Sequence, residues 1–103
     1  MNNMQQMLAR AQKLQSKVAE VQKELENKEV TGTSGGGAIK VIMTVSGVVK
    51  SISIDKELVN PDETDLLEDL IVAALSDARA ASAKIYEAEM SAATGGLNLP
   101  GMF

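Results

Sequence analysis

Between Asn3 and about Asn27 the chain contains neither Gly nor Pro, and its apolar residues recur at Met4, Met7, Ala11, Leu14, Val18, Val21 and Leu25, with Leu8 widening the stripe. Steps that alternate between three and four define a heptad seam, the pattern of a helix packed lengthwise on another helix. Gln, Ala, Lys and Glu fill most of the remaining positions and favour the helix intrinsically. The period then falls to two. Glu29 to Thr33 reads as a short strand, Ser34-Gly35-Gly36-Gly37 as a turn or loop, and Ala38 to Ser46 as a second strand, in which Ile39, Val41, Met43 and Val45 alternate with Lys40, Ile42, Thr44 and Ser46. Ser46-Gly47 supplies a tight turn into a third strand, Val48 to Ile54, with Ile52 and Ile54 inward and Val49, Ser51 and Ser53 on the other side. The pattern predicts an antiparallel meander with one apolar face.

Asn60-Pro61-Asp62 breaks the chain, and a second long helix is expected from Thr64 or Asp65, where Asp65 and Glu68 have the spacing of a capping box. It runs to about Ala93, before Gly95-Gly96. Its heptad positions are Leu67, Ile71, Ala74, Ala78, Ala81, Ile85, Ala88 and Ala92, with Leu70 and Leu75 alongside. The tail from Gly95 to Phe103 is apolar and punctuated by Gly and Pro, and is expected to fold over something. The class is α+β with the order α-β-β-β-α, in one domain spanning 1–103: a helical arm at 1–27, a sheet at 28–55, a long helix at 62–93 and the apolar tail at 94–103.

Two helices of roughly 37 and 43 Å cannot hide inside a compact domain of this size, whose radius of gyration is only ~13 Å. They must overhang the sheet. An overhanging seam and a three-stranded sheet with a free edge leave surface that a symmetric partner would cover, so a homodimer with a sheet-based body and projecting helical arms is expected.

The 103 residues include no Cys and no His. The commonest general base, the commonest metal ligand and the best nucleophile are all missing, which argues against an enzyme and against a small-molecule substrate. Gly32-Thr33-Ser34-Gly35-Gly36 matches G-x-S-x-G in letters, yet a nucleophile elbow needs a preceding strand, a following helix and a His. Gly32 and Gly37 approach a phosphate loop, but Ala38 stands where Lys is needed. Both readings yield to a flexible hairpin. Asp62, Glu63, Asp65, Glu68 and Asp69 are acids at a helix start, where the macrodipole favours them, and they lack calcium-loop spacing; no metal or cofactor is expected. The N-terminal segment has no apolar core of a secretory signal and no stretch reaches a membrane span, so a cytoplasmic protein without a membrane partner is expected.

The formal net charge is −4, so any nucleic-acid site must be local. Charge is segregated along the chain. Up to Lys17 the only charged side chains are Arg10, Lys13 and Lys17, whereas acids occur at Asp55, Glu57, Asp62, Glu63, Asp65, Glu68 and Asp69 against one lysine, Lys56. Positions 10, 13 and 17 share one face of the first helix, beside the apolar seam. Lys23 continues the stripe less cleanly, and Arg79 and Lys84 would join it if the two helices pair antiparallel. The bland reading is that these cations solubilise a helix flank. With one Tyr, one Phe and no base-reading motif, a cation stripe points to phosphate contacts on duplex DNA with weak or shape-based sequence preference. The alternative is a non-enzymatic dimeric protein-interaction scaffold whose arms or apolar tail recruit another protein.

Several segments, in order, extend this reading: Met7-Leu8-x-x-Ala11-Gln12-Lys13 and Gln22-x-Glu24-Leu25; Gly35-Gly36-Gly37 leading into Ile39-Lys40-Val41; Ile54-Asp55; Leu67-Glu68-Asp69-Leu70-Ile71-x-Ala73-Ala74 with Asp77-Ala78; and Thr94-Gly95-Gly96-Leu97-x-Leu99-Pro100-Gly101-Met102. This ordered set resembles the YbaB/EbfC family of bacterial nucleoid-associated proteins and covers nearly the whole chain. Lys56, where the family often has Pro, and Val45, where a turn is more common, depart from the pattern. The resemblance implies a tweezer-shaped homodimer joined through its sheets, with paired helices as arms that grip double-stranded DNA. It also implies a place on the nucleoid and effects on DNA conformation, chromosome organisation and gene regulation. The residues expected to meet DNA are Arg10, Lys13, Lys17 and Lys23, with Arg79 and Lys84 as further candidates.

Overall fold

The computed structural model describes residues 3–95. Helix α1 (Asn3–Glu26) leads into strands β1 (Glu29–Ser34), β2 (Ile39–Thr44) and β3 (Val49–Ile54), and helix α2 (Thr64–Ala93) closes the fold. The order is the α-β-β-β-α read from the sequence. Residues 96–103, where the tail was expected to fold over something, lie outside the described residues.

The sheet has the order β1-β2-β3 with both pairings antiparallel. Val30, Ile39, Val41 and Met43 face α2 and bury against Ala74 and Ala78, with Leu67, Leu70 and Ile71 around them. Burying one such aliphatic side chain stabilises the fold by roughly 1.5–3 kcal/mol. Gly32 lies where β1 crosses α2, and an added Cβ there would collide with the Ala74 carbonyl oxygen and the Ala78 amide. Two polar ties hold the same crossing: the Thr33 amide donates to the Asp77 carboxylate at 2.9 Å, and the Ser34 hydroxyl donates to the Leu70 carbonyl.

Helix α2 covers β1 and β2 and leaves β3 open. Ile52 pairs with Val41 and so belongs to the inward face, yet it is 44% exposed. Val49 corrects the expected alternation. The register shifts between Ile42 and Met43, so that Met43 pairs with Val49 while Ile42 pairs with Ser51, leaving Lys50 as the extra residue. Because directly opposed residues share a face, Val49 joins Ile52 on the apolar side instead of Ser51 and Ser53.

The start of α2 also differs from expectation. Asp65 and Glu68 form no capping box; Glu63 occupies the cap position without a side-chain bond. The preceding turn, Pro61–Glu63, is capped by Asn60, whose side-chain oxygen accepts from the Asp62 amide at 3.0 Å. This turn abuts α2 directly, with Glu63 at a non-helical φ of −129° and ψ of 42° between the two. At the other end Ala88 and Ala92 are exposed and Met90 is buried instead. The reason is that α2 packs first on the sheet and then on α1, which lie in different directions, while a 3.6-residue helix drifts away from a strict heptad.

Helix α1 is rooted in the body by Val21 and Leu25, which bury against Met90 with Val18, Val45, Ile85 and Ala93. The Ser46 hydroxyl donates to the Glu26 carbonyl at 3.1 Å, and the Val45 amide to the Lys28 carbonyl at 2.8 Å. The β2–β3 turn therefore clasps the end of α1. The molecule measures 74 × 23 × 16 Å with a radius of gyration of 19.6 Å. That is well beyond the ~13 Å of a compact chain of this length, so the helices do overhang the sheet.

Candidate nucleic-acid interface

The outer half of α1 carries the chain's acid-free cationic segment. Arg10, Lys13 and Lys17 are all exposed and line one open cleft together with Leu14, Ser16 and Glu20 of α1 and Ala93, Thr94 and Gly95 at the end of α2. The cleft has a volume of about 530 Å³. Leu14 and Ala93 supply apolar floor, and the three cations stand at the rim. None has a carboxylate partner within 4 Å among the described residues, where the one ion pair joins Lys28 to Glu89 at 3.9 Å.

The cleft exists because the helices pair antiparallel. Val21 and Leu25 meet Met90 near the root, and the residues around Leu14 and Lys17 line the cleft together with Ala93 to Gly95 further out. The end of α2 thus opens among the cations of α1. Its last turn holds no basic residue of its own, and the Thr94 hydroxyl donates back to the carbonyls of Met90 and Ser91, both at 3.1 Å. Lysine and arginine beside a helix C-terminus are favoured by the macrodipole, by about 0.3–1 kcal/mol in exposed settings.

The other three candidates lie apart. Lys23 is six residues beyond Lys17, which turns it about 120° round the helix, and it sits in the last turn of α1. Arg79 adjoins the buried Ala78 under β1, about 22 Å along α2 from the cleft, and Lys84 is about 15 Å from it. Antiparallel pairing, the condition for α2 to contribute, is met, but only the end of α2 reaches the stripe. Glu20 and Glu24 extend the face of Arg10, Lys13 and Lys17 at the same three-and-four spacing, so the stripe changes sign toward the body. That reversal is written in the sequence spacing and is noticed only when the face is followed past Lys17.

At the opposite end of α2 from the cleft, Asp62 and Glu63 lie in the turn before the helix and Asp65, Glu68 and Asp69 in its first turns, and no group of three or more among the described residues is arranged to hold a metal ion. No helix among the described residues is long and apolar enough to cross a membrane.

Residues 1–97 match the model of the YbaB/EbfC DNA-binding family. The chain belongs to that family. It is 49% identical over 100 residues to a nucleoid-associated protein of Rhodospirillum rubrum, covering 97% of this chain and 94% of that one. A nucleoid-associated protein of Dictyoglomus turgidum is 45% identical over 104 residues, covering both chains in full. A crystal structure of an uncharacterized protein from Helicobacter pylori shares the fold with a TM-score of 0.68 and 18% identity, over 82% of this chain and 88% of the other. The family description names DNA binding and no catalysis.

Proposed function

We propose that the protein is a nucleoid-associated homodimer that grips duplex DNA through phosphate contacts with little base specificity, and so affects DNA conformation, nucleoid organisation and gene expression from a cytoplasmic, nucleoid-bound position. One observation carries the reading: Arg10, Lys13 and Lys17 form an exposed rim, without carboxylate partners among the described residues, on an arm held away from an acidic body. Separation matters because the Debye length is about 8 Å at physiological salt, so the acids around the start of α2 do not cancel the rim, and Glu20 is the one acid that lines the cleft beside it. The nucleoid-associated names of relatives at 41–50% identity support DNA as the partner.

The pairing rests on the open side of the sheet. Val49 and Ile52 leave an apolar strip uncovered along the edge strand β3, a surface that a twofold-related copy covers. Two copies then place two cationic arms on one duplex. Lys23, Arg79 and Lys84 act as peripheral contacts at most, because they face elsewhere or lie nearer the body.

The test is a binding titration against salt on two unrelated duplexes. If each dimer neutralises about 4–8 phosphates, log affinity falls against log salt with a slope of about −4 to −7, nearly equal for the two sequences. Absence of binding in low salt would rule out the proposal, and a large difference between the duplexes would rule out the phosphate-only part of it.

A further inference from the structure

Along α1 the apolar seam outlasts its partner helix. Helix α2 ends at Ala93, which lines the cleft with Leu14, but the seam continues outward through Ala11, Leu8, Met7 and Met4. Met4 is 80% exposed and Met7 69%. Met7 differs from the rest of the outer seam in the company it keeps. Met7, Arg10, Leu14 and Lys17 step by three, four and three, so they share one face, and Met4 lies beside Met7 further out. Leu8 is turned about 100° from Met7, toward a flank of Gln5 and Gln12 that carries no charge.

We infer that Met7, with Met4 beside it, is an apolar wedge that enters the minor groove of the bound duplex and opens a base step, while Arg10, Lys13 and Lys17 hold the phosphates. The inference rests on the DNA-binding reading above and adds to it a contact with the base stack. Continuity is the first argument. Arg10 is three residues from Met7, about 4.5 Å along the axis, so a groove whose wall Arg10 holds lies within reach of Met7. Charge is the second. Up to Lys17 the helix carries three cations and no acid, which suits a polyanion; joining two such stripes from two copies would gather six cations, three from each, with nothing to offset them. A lipid surface suits the stripe less well, because a helix lying in one needs a broad apolar face rich in Trp, Phe or Leu. The outer stripe offers two methionines, one leucine and one alanine, and its cations stand on one side. Shape is the third argument. A helix about 10–12 Å across does not fit a groove about 6 Å wide, but single side chains on its contact face do, and methionine is an unbranched, adaptable one. Apolar side chains used in this way partly unstack a base step and kink the duplex by about 20–90°. Such a wedge reads no hydrogen-bonding edge, so it bends DNA with a preference only for easily kinked steps such as TA and CA/TG.

The test uses the full-length protein and a short duplex with one central TA step, dye-labelled at both ends for energy transfer and carrying a fluorescent adenine analogue at the step. Binding should bring the ends together by a bend of about 20–90° and brighten the analogue as it unstacks. Met4→Gln combined with Met7→Gln, both at exposed helix positions, should lose the bend and the brightening. The slope of its log affinity against log salt should keep the value set by the cations. Leu8→Gln should retain both signals. A bound duplex that stays straight, a double variant that bends it as the unaltered protein does, or an equal loss in Leu8→Gln overturns the wedge. So does a double variant that sediments as a smaller assembly, which assigns the stripe to a second copy, or one that loses flotation with phosphatidylglycerol vesicles, which assigns it to lipid. No binding even in low salt overturns the DNA reading itself, and the wedge with it.

Discussion

A Cβ on Gly32 would stand 2.7 Å from the Cα of Ala78, so strand β1 and helix α2 meet backbone to backbone. Neither neighbour is the movable end of a side chain. Gly32→Ala therefore forces the strand off the helix and separates Val30 and Val41 from Ala74. Overpacking of this kind costs about 1–3 kcal/mol, and the rigid contact points to the upper part of that range. Urea unfolding should show a lower midpoint with an unchanged slope; an unchanged midpoint would mean that the crossing relaxes freely.

Reversing Arg10, Lys13 and Lys17 to Glu should abolish DNA binding in a gel shift at low salt while sedimentation shows the same assembly as the unaltered protein. Truncating Lys17 alone to Ala should lower the magnitude of the salt slope by about 2 in a dimer, one contact per arm. Lys23→Ala and Arg79→Ala should each weaken binding less than Lys17→Ala. Should Arg79→Ala prove the more damaging, the interface lies nearer the body than proposed.

Ile52→Glu tests the pairing surface. Because Ile52 is half open in the single chain, the change should leave the helical circular dichroism intact and shift the sedimenting species from dimer to monomer. With one arm instead of two, the salt slope should fall to about half, roughly −2 to −3.5. A variant that stays dimeric moves the interface away from β3.

Ser46→Ala removes the hydroxyl that ties the β2–β3 turn to the end of α1. A net loss of about 0.5–1.5 kcal/mol is expected, the usual worth of one such bond. Amides near Lys28 should exchange faster with solvent; unaltered exchange there would show that the Val45 to Lys28 bond suffices alone.

Much of this was legible in the sequence, and the parts that were not share a cause. Period-two alternation in Ile39, Val41 and Met43 and the heptad through Val18, Val21 and Leu25 report burial against one direction, and the structure buries or half-buries each of these residues. Val49 defied its alternation because a bulge is set by how two strands fit their turn, which neither strand records alone. Ala88 and Ala92 gave way to Met90 because α2 changes partners midway. The cations of α1 could be grouped from their spacing, but where Arg79 and Lys84 stand relative to them depends on how far α2 slides along α1. That offset goes with Met90 packing against Val21 and Leu25, a contact between distant parts of the chain.

The clasp between the β2–β3 turn and the end of α1 has a geometric consequence. Strand β3, the proposed meeting point of two copies, is one limb of the same hairpin whose tip holds Glu26 and Lys28. Shifts of a fraction of an ångström at that joint are multiplied along a lever tens of ångströms long. In the proposed pair, the gap between opposing tips would be a caliper set at its pivot, with small changes in the hairpin selecting the width and curvature of the double helix that fits between the jaws.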